Sequence, residues 1–165
     1  MTLTVGSKLP MLEGASKWFN GEPSSEVLTI GYTIIHFWSI SCPACKANIP
    51  DLYEIKSVIN QPNVHFVAIH LPRCEEDTRI EKVEEQIRFM DIQEPCAIDN
   101  LHEIGKRFEM DGLWPYYFFF VEGKLRRRAA GALGINLIRN SLRDAGLLSQ
   151  PYNATSSEVG EGSAL

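Results

Sequence analysis

Residues 32–50 read Tyr32-Thr33-Ile34-Ile35-His36-Phe37-Trp38-Ser39-Ile40-Ser41-Cys42-Pro43-Ala44-Cys45-Lys46-Ala47-Asn48-Ile49-Pro50. Apart from His36, the first seven are aromatic or β-branched, a near-continuous run that suits a strand buried on both faces. At Ser41 the pattern changes. Ser41, Cys42 and Pro43 read as a helix start, an N-cap candidate followed by proline in the first turn. Cys45, Ile49, Leu52, Ile55 and Ile59 then keep helical spacing, and Pro50 inside that helix is expected to kink it. A strand that runs into a helix, with two cysteines at the junction, sets the frame for the rest of the chain.

Two thiols three positions apart can close into a small ring. A thiolate, not a thiol, attacks a disulfide, and a free cysteine near neutral pH is mostly protonated. At a helix N-terminus the unsatisfied backbone N–H groups and the dipole favour the anion. Cys42 holds that position and reads as the nucleophile. Cys45, one turn further on the same side, is placed to attack a mixed disulfide at Cys42 and release reduced product.

The chain has 4 cysteines, too few and too unevenly spaced for a disulfide-stapled secreted scaffold. A Cys-x-x-Cys pair is also half of a zinc site, but Cys74 and Cys96 are isolated, and His65 and His70 fall on opposite faces of their strand. Lys46 stands where c-type haem attachment needs histidine. Cys74 reads as a loop thiol and Cys96 as a small buried apolar residue.

Outward from the junction, residues 1–31 are punctuated by Gly6, Pro10, Gly14, Gly21, Pro23 and Gly31. They read as an irregular extension with one short hairpin and a helical turn after Ser24 and Ser25. Downstream, Asn63–His70 alternates as a second strand. Ile80, Val83, Ile87 and Met90 mark one face of an amphipathic helix, and the acidic remainder of 75–94 reads as a solvated face. Pro95–Ile98 is a short strand, and Leu101, Ile104 and Phe108 mark a short helix. Tyr116–Val121 and Lys124–Ala130, joined by Glu122 and Gly123, form a hairpin. Ile135, Ile138, Leu142 and Ala145 lay out a closing helix. This order predicts an α/β fold, three layers α/β/α around a mixed sheet, parallel in its first half and antiparallel at its end. One domain over 1–148 is expected, followed by a disordered tail over 149–165.

A chain of 165 residues, 44% of them hydrophobic, can bury one sizeable core. The net charge of −5 is mild and spread out, which argues against a nucleic-acid partner. Arg126, Arg127 and Arg128 read as edge-strand protection. No apolar run approaches the roughly 18 residues of a spanning helix, and the N-terminus lacks the basic-then-apolar pattern of a secretory signal. The expectation is a cytoplasmic monomer with no membrane partner, or an extracytoplasmic protein if a leader was removed.

Taken together, Phe37-Trp38, the Cys42-Pro43-Ala44-Cys45 loop, Lys46 and Pro50 resemble the active-site segment of the thioredoxin superfamily. Trp114-Pro115 before an aromatic strand resembles that family's cis-proline facing the dithiol, and Gly131 its glycine after the last strand. The N-terminal extension, the insert around Leu71–Met90, and the phrases Phe37–Cys42 and His70–Arg73 are similar to the TlpA/ResA-like branch, in particular the soluble YkuV-type thiol-disulfide oxidoreductases.

The resemblance implies that the backbone before Pro115 pairs with the substrate strand near Cys42, with Trp38 and Trp114 rimming the groove and Pro43-Ala44 tuning the thiolate; the plainer alternatives are a proline that opens an edge strand and tryptophans that are core aromatics. Two positions depart from the family. His36 stands where thioredoxins hold a buried aspartate, and Asn48 where ResA-like relatives carry glutamate. His36 reads either as the replacement proton acceptor for Cys45, since imidazole exchanges protons near neutrality, or as a core histidine held by a backbone hydrogen bond.

The expected function is thiol-disulfide exchange that reduces protein or small-molecule disulfides. It needs no cofactor beyond the redox-active Cys42–Cys45 pair and no metal, and an upstream redox partner that the sequence does not identify recharges it. A non-catalytic thioredoxin-like binding module, or a copper carrier holding Cu(I) on the dithiol, is the alternative.

Overall fold

The computed structural model describes residues 3–59 and 61–148. The tail expected to be disordered over 149–165 lies outside the described residues. In chain order the elements are β1 (Lys17–Phe19), α1 (Ser25–Leu28), β2 (Tyr32–Trp38), α2 (Pro43–Val58), β3 (Val64–His70), a 3₁₀ turn (Glu75–Thr78), α3 (Ile80–Phe89), β4 (Cys96–Ile98), α4 (Glu103–Arg107), β5 (Tyr116–Val121), β6 (Lys124–Ala130) and α5 (Gly134–Asp144).

The strands form one six-stranded sheet in the order β1-β4-β3-β2-β5-β6. β2 pairs parallel with β3 and antiparallel with β5, and β3 pairs parallel with β4. The apolar run of the quoted stretch thus occupies the centre of a mixed sheet. The chain enters it through Gly31, whose φ of +77° leaves the backbone against Asn63, where a Cβ would meet the Asn63 carbonyl oxygen at 2.4 Å.

Side chains alternate across the sheet. Ile35, Phe37, Val67, Ile69, Phe118 and Phe120 pack on one face against Leu28 of α1 and against Ile104 and Phe108 at α4. Ile34, Tyr117 and Phe119 face the other way, onto Leu52 and Ile55 of α2 and Ile135, Ile138 and Leu142 of α5. Trp38, Ala68, Cys96 and Ile98 lie on that same side under Val83 and Ile87 of α3, together with both cysteines of the loop. The expected three layers are there, with α2, α3 and α5 on the face that carries the dithiol.

The hairpin is found where its sequence places it. Glu122 (φ 50°) and Gly123 (φ 74°) form a two-residue turn with both φ positive, which matches the twist of β5 and β6. Among the described residues, the N-terminal extension does not form the hairpin expected from the sequence. Lys17–Phe19 instead pairs antiparallel with β4, and residues near Lys8 run along the outer side of β6, where Leu125 N–H donates to Ser7 O at 2.7 Å. Arg128 is more than an edge charge, since its guanidinium donates to the Tyr116 hydroxyl at 2.6 Å and to Leu3 O at 2.9 Å.

Candidate active site

β2 ends at Trp38, and Leu71 N–H caps its carbonyl at 2.9 Å. Residues 39–41 then lead to Cys42 and the start of α2 at Pro43. Cys42 is the N-cap, with extended backbone (φ −99°, ψ 106°), and Cys45 N–H donates to Cys42 Sγ at 3.1 Å. Pro43 follows at a position whose missing N–H would have had no helical partner. Cys42 and Cys45 are joined by a disulfide with their Cα atoms 5.3 Å apart. Each is 3% exposed, so exposure does not tell the two sulfurs apart, but position in the helix does. Ser41 and Pro43 are exposed and Ala44 is half-buried.

The loop of residues 39–41 is held from the far end of β3 and the turn beyond it. Ser39 Oγ and Ser41 Oγ each donate to Asp77 Oδ2 at 2.6 Å, and Arg73 N–H donates to the same oxygen at 3.0 Å. Burial pushes the Asp77 carboxyl up, but hydrogen bonds from Ser39, Ser41, Arg73 and Cys74 outweigh it and hold the group below the usual carboxylate range. Ile40 N–H donates to His70 Nε2 at 3.2 Å, so the imidazole accepts there and carries its proton on Nδ1. Burial pushes His70 down to about 4, against the opposing charge of Asp77.

Asp77 and Glu94 both belong to the stretch read as a solvated acidic face, and both are buried. That reading is corrected: α3 presents such a face, but the carboxylates at either end of the segment turn inward. The hint for Asp77 was weak, being two serines just before the cysteine pair whose hydroxyls need an acceptor.

Trp38 does not rim a groove. It is 1% exposed, packed edge-on to His70 with ring centroids 4.9 Å apart, because β2 is central and covered on both faces. Trp114 is half-buried. Its indole N–H donates to Leu71 O at 3.1 Å, the Arg73 guanidinium lies 5.9 Å from its ring, and it packs against both the Phe108 cluster and the cluster that holds the dithiol. Beside it runs a groove of about 370 Å³ whose lining includes Leu71, Leu101, Lys106 and Met110. The Trp114–Pro115 peptide bond is cis. Pro115 O accepts from Gly131 N–H at 2.8 Å, which ties this turn to the end of β6.

His36 points to the α2 side of the sheet, opposite Ala68 and Tyr117 in register. It is bound to a carboxylate rather than to backbone: its Nε2 lies 2.8 Å from Glu94 Oε1, and Glu94 Oε2 accepts from Lys56 Nζ of α2 at 2.5 Å. Burial pushes Glu94 up, but the hydrogen bonds and charges of His36 and Lys56 prevail and bring it to about 2. Asn48 donates to the Tyr117 hydroxyl at 3.0 Å and to Ala132 O at 3.1 Å, tying α2 to the end of the hairpin. Cys74 is exposed and Cys96 buried, both as free thiols. Among the described residues no group of three or more His, Cys, Asp or Glu side chains is arranged to hold a metal ion.

A thiol-disulfide oxidoreductase of Bacillus subtilis, YkuV, is 38% identical to this chain over 132 residues, which is 79% of this chain and 88% of that protein. The chain belongs to the thioredoxin-like thiol-disulfide oxidoreductases. A solved thioredoxin-like protein in its oxidized form superposes on this oxidoreductase with a TM-score of 0.75 at 34% identity, covering 84% of this chain and 94% of that one. The sporulation thiol-disulfide oxidoreductase A of Bacillus subtilis is 23% identical over 101 residues, 61% of this chain and 60% of that protein. A thiol-disulfide isomerase from Corynebacterium glutamicum shares the fold, with a TM-score of 0.71 at 22% identity over 86% of this chain and 97% of that one. No protein-family model matches the chain.

Proposed function

We propose that this oxidoreductase reduces protein disulfides in the cytoplasm, with Cys42 as nucleophile and Cys45 as resolving thiol. The observation that carries the reading is the cap on Cys42. In the disulfide the Cys42 sulfur is a weak acceptor. Once reduced, the same Cys45 N–H and the same helix end face a thiolate, and a charge-assisted hydrogen bond is the stronger one. The first cysteine is therefore stabilised as the anion that attacks.

The exchange balances within the pair. Cys42 Sγ⁻ attacks one sulfur of the substrate disulfide and expels the other as a thiolate, leaving a mixed disulfide on Cys42. Cys45 loses its proton and attacks Cys42 Sγ. The Cys42–Cys45 disulfide forms, the second substrate sulfur leaves, and two electrons have passed to the substrate. His36, paired with Glu94 on the α2 side of the sheet, takes the proton from Cys45 in this reading. An upstream dithiol restores the reduced form.

The chain's 4 cysteines, too few for a disulfide-stapled scaffold, suit a reducing compartment, in which a close dithiol pair is more often catalytic than structural. An extended polypeptide fits the backbone before Pro115, with Trp114 and the groove beside it receiving an apolar side chain. The test is insulin reduction by dithiothreitol. The protein should accelerate it, and Cys42→Ser should abolish the acceleration; no acceleration by the wild type would refute the reading.

A further inference from the structure

Two of the three residues that deliver Cys42 to α2, Ser39 and Ser41, are gripped by one oxygen atom from another part of the chain. Asp77 Oδ2 accepts from Ser39 Oγ and Ser41 Oγ at 2.6 Å and from Arg73 N–H at 3.0 Å. Three donors on one oxygen stabilise the ionised carboxylate, and the side chain is buried. Ser41 adjoins Cys42 in the chain, so a fixed negative charge is bound to the residue just before the one that must become a thiolate.

The neighbouring charges are more exposed than Asp77 and so more strongly screened. Arg73 reaches Ser41 O at 2.7 Å, but its guanidinium is exposed and its field is screened by solvent and salt. Asp77 is 2% exposed and acts through a medium of lower dielectric constant. His70, held neutral by burial, brings no charge. Glu75 is exposed, and Glu76 is exposed and paired with Lys82 and Arg79.

We propose that Asp77 is a positioning residue that sets the reducing poise of the dithiol, by fixing the 39–41 loop and disfavouring the Cys42 thiolate that the helix end favours. With the thiolate less stable, the disulfide is the preferred form of the couple and the dithiol gives up its two electrons and two protons to a substrate disulfide more readily. The inference rests on Cys42–Cys45 as the working couple and adds what tunes it.

Two variants separate charge from scaffolding. Asp77→Asn removes the charge and keeps the shape; Ser41→Ala keeps the charge and removes a donor that disperses it. Each full-length protein is equilibrated with reduced and oxidised glutathione, and the pH at which the Cys42 thiolate forms is followed by ultraviolet absorbance. Asp77→Asn should move the equilibrium toward the dithiol by about tenfold, about 30 mV for a two-electron couple, with the thiolate forming at lower pH. Ser41→Ala should move it toward the disulfide by about threefold.

A loop merely loosened would shift both variants the same way. Shifts in one direction, or none beyond about twofold in either, overturn the proposal. If Asp77→Asn fails to fold, Ser41→Ala decides alone: a shift toward the disulfide supports the proposal, and no shift or the reverse overturns it. The wild-type potential tests the reductase reading by itself, whereas only the differences between variants bear on Asp77.

Discussion

The amide N–H of Cys45 points at Cys42 Sγ from 3.1 Å, so the resolving cysteine supplies the cap for the sulfur it will later attack. The same short turn orders the two steps of exchange. Cys45→Ser should therefore trap substrate on Cys42 as a mixed disulfide that mass spectrometry of the intact adduct detects, while Cys42→Ser should trap none. Adducts on Cys45 of the Cys42→Ser protein would reverse the assigned roles.

His36→Ala should slow resolution of the mixed disulfide by about a hundredfold near neutral pH, the lower end of the range for losing a proton acceptor. Single-turnover release of reduced substrate measures this. Glu94→Gln keeps the imidazole and should slow release less. Equal rates for His36→Ala and wild type would leave His36 as a structural partner of Glu94 alone.

Two buried groups predict how stability depends on pH. His70 is lowered from 6.5 to about 4, so between those values the unfolded chain binds a proton that the folded one does not. Its contribution is complete above 6.5 and is lost as pH falls toward 4, a few kcal/mol in all. Protonation would also remove the acceptor of Ile40 N–H. Urea midpoints should fall over this range for the wild type and fall less for His70→Gln.

Glu94, lowered from 4.5 to about 2, adds a second window. Its contribution is present above 4.5 and is lost as pH drops toward 2. At neutral pH Glu94→Gln leaves His36 and Lys56 without their shared carboxylate, and should cost about 3–5 kcal/mol in denaturant unfolding. A variant as stable as wild type at neutral pH would show that the trio contributes nothing net.

Local patterns made most of this fold legible. Tyr116–Val121 and Lys124–Ala130 match the structure residue for residue, because a continuous aromatic run and a turn-forming Glu122-Gly123 pair are short-range signals. α3 and α5 were marked by apolar periodicity. β1 was missed as a partner of β4, since nothing in Lys17–Phe19 specifies a strand that lies far along the chain.

At the site, the pairing of Cys42 with Cys45 could be read from their spacing, and the cis Trp114–Pro115 bond from the family resemblance. Asp77 and Glu94 could not, because their burial depends on which loop the segment folds over, and an acidic stretch looks solvated until Ser39, Ser41, His36 and Lys56 are seen around it. Trp38 runs the other way: an aromatic beside the cysteines suits a groove rim or the core, and its place at the end of a central strand decides for the core.

The most direct test is the equilibrium of the Cys42–Cys45 couple with glutathione in the wild-type protein. A reductase should give a potential near the thioredoxin range, about −270 mV, with the disulfide favoured over the dithiol in a balanced glutathione buffer. A value near about −120 mV, where disulfide donors lie, would contradict a reductase and make the protein an oxidant.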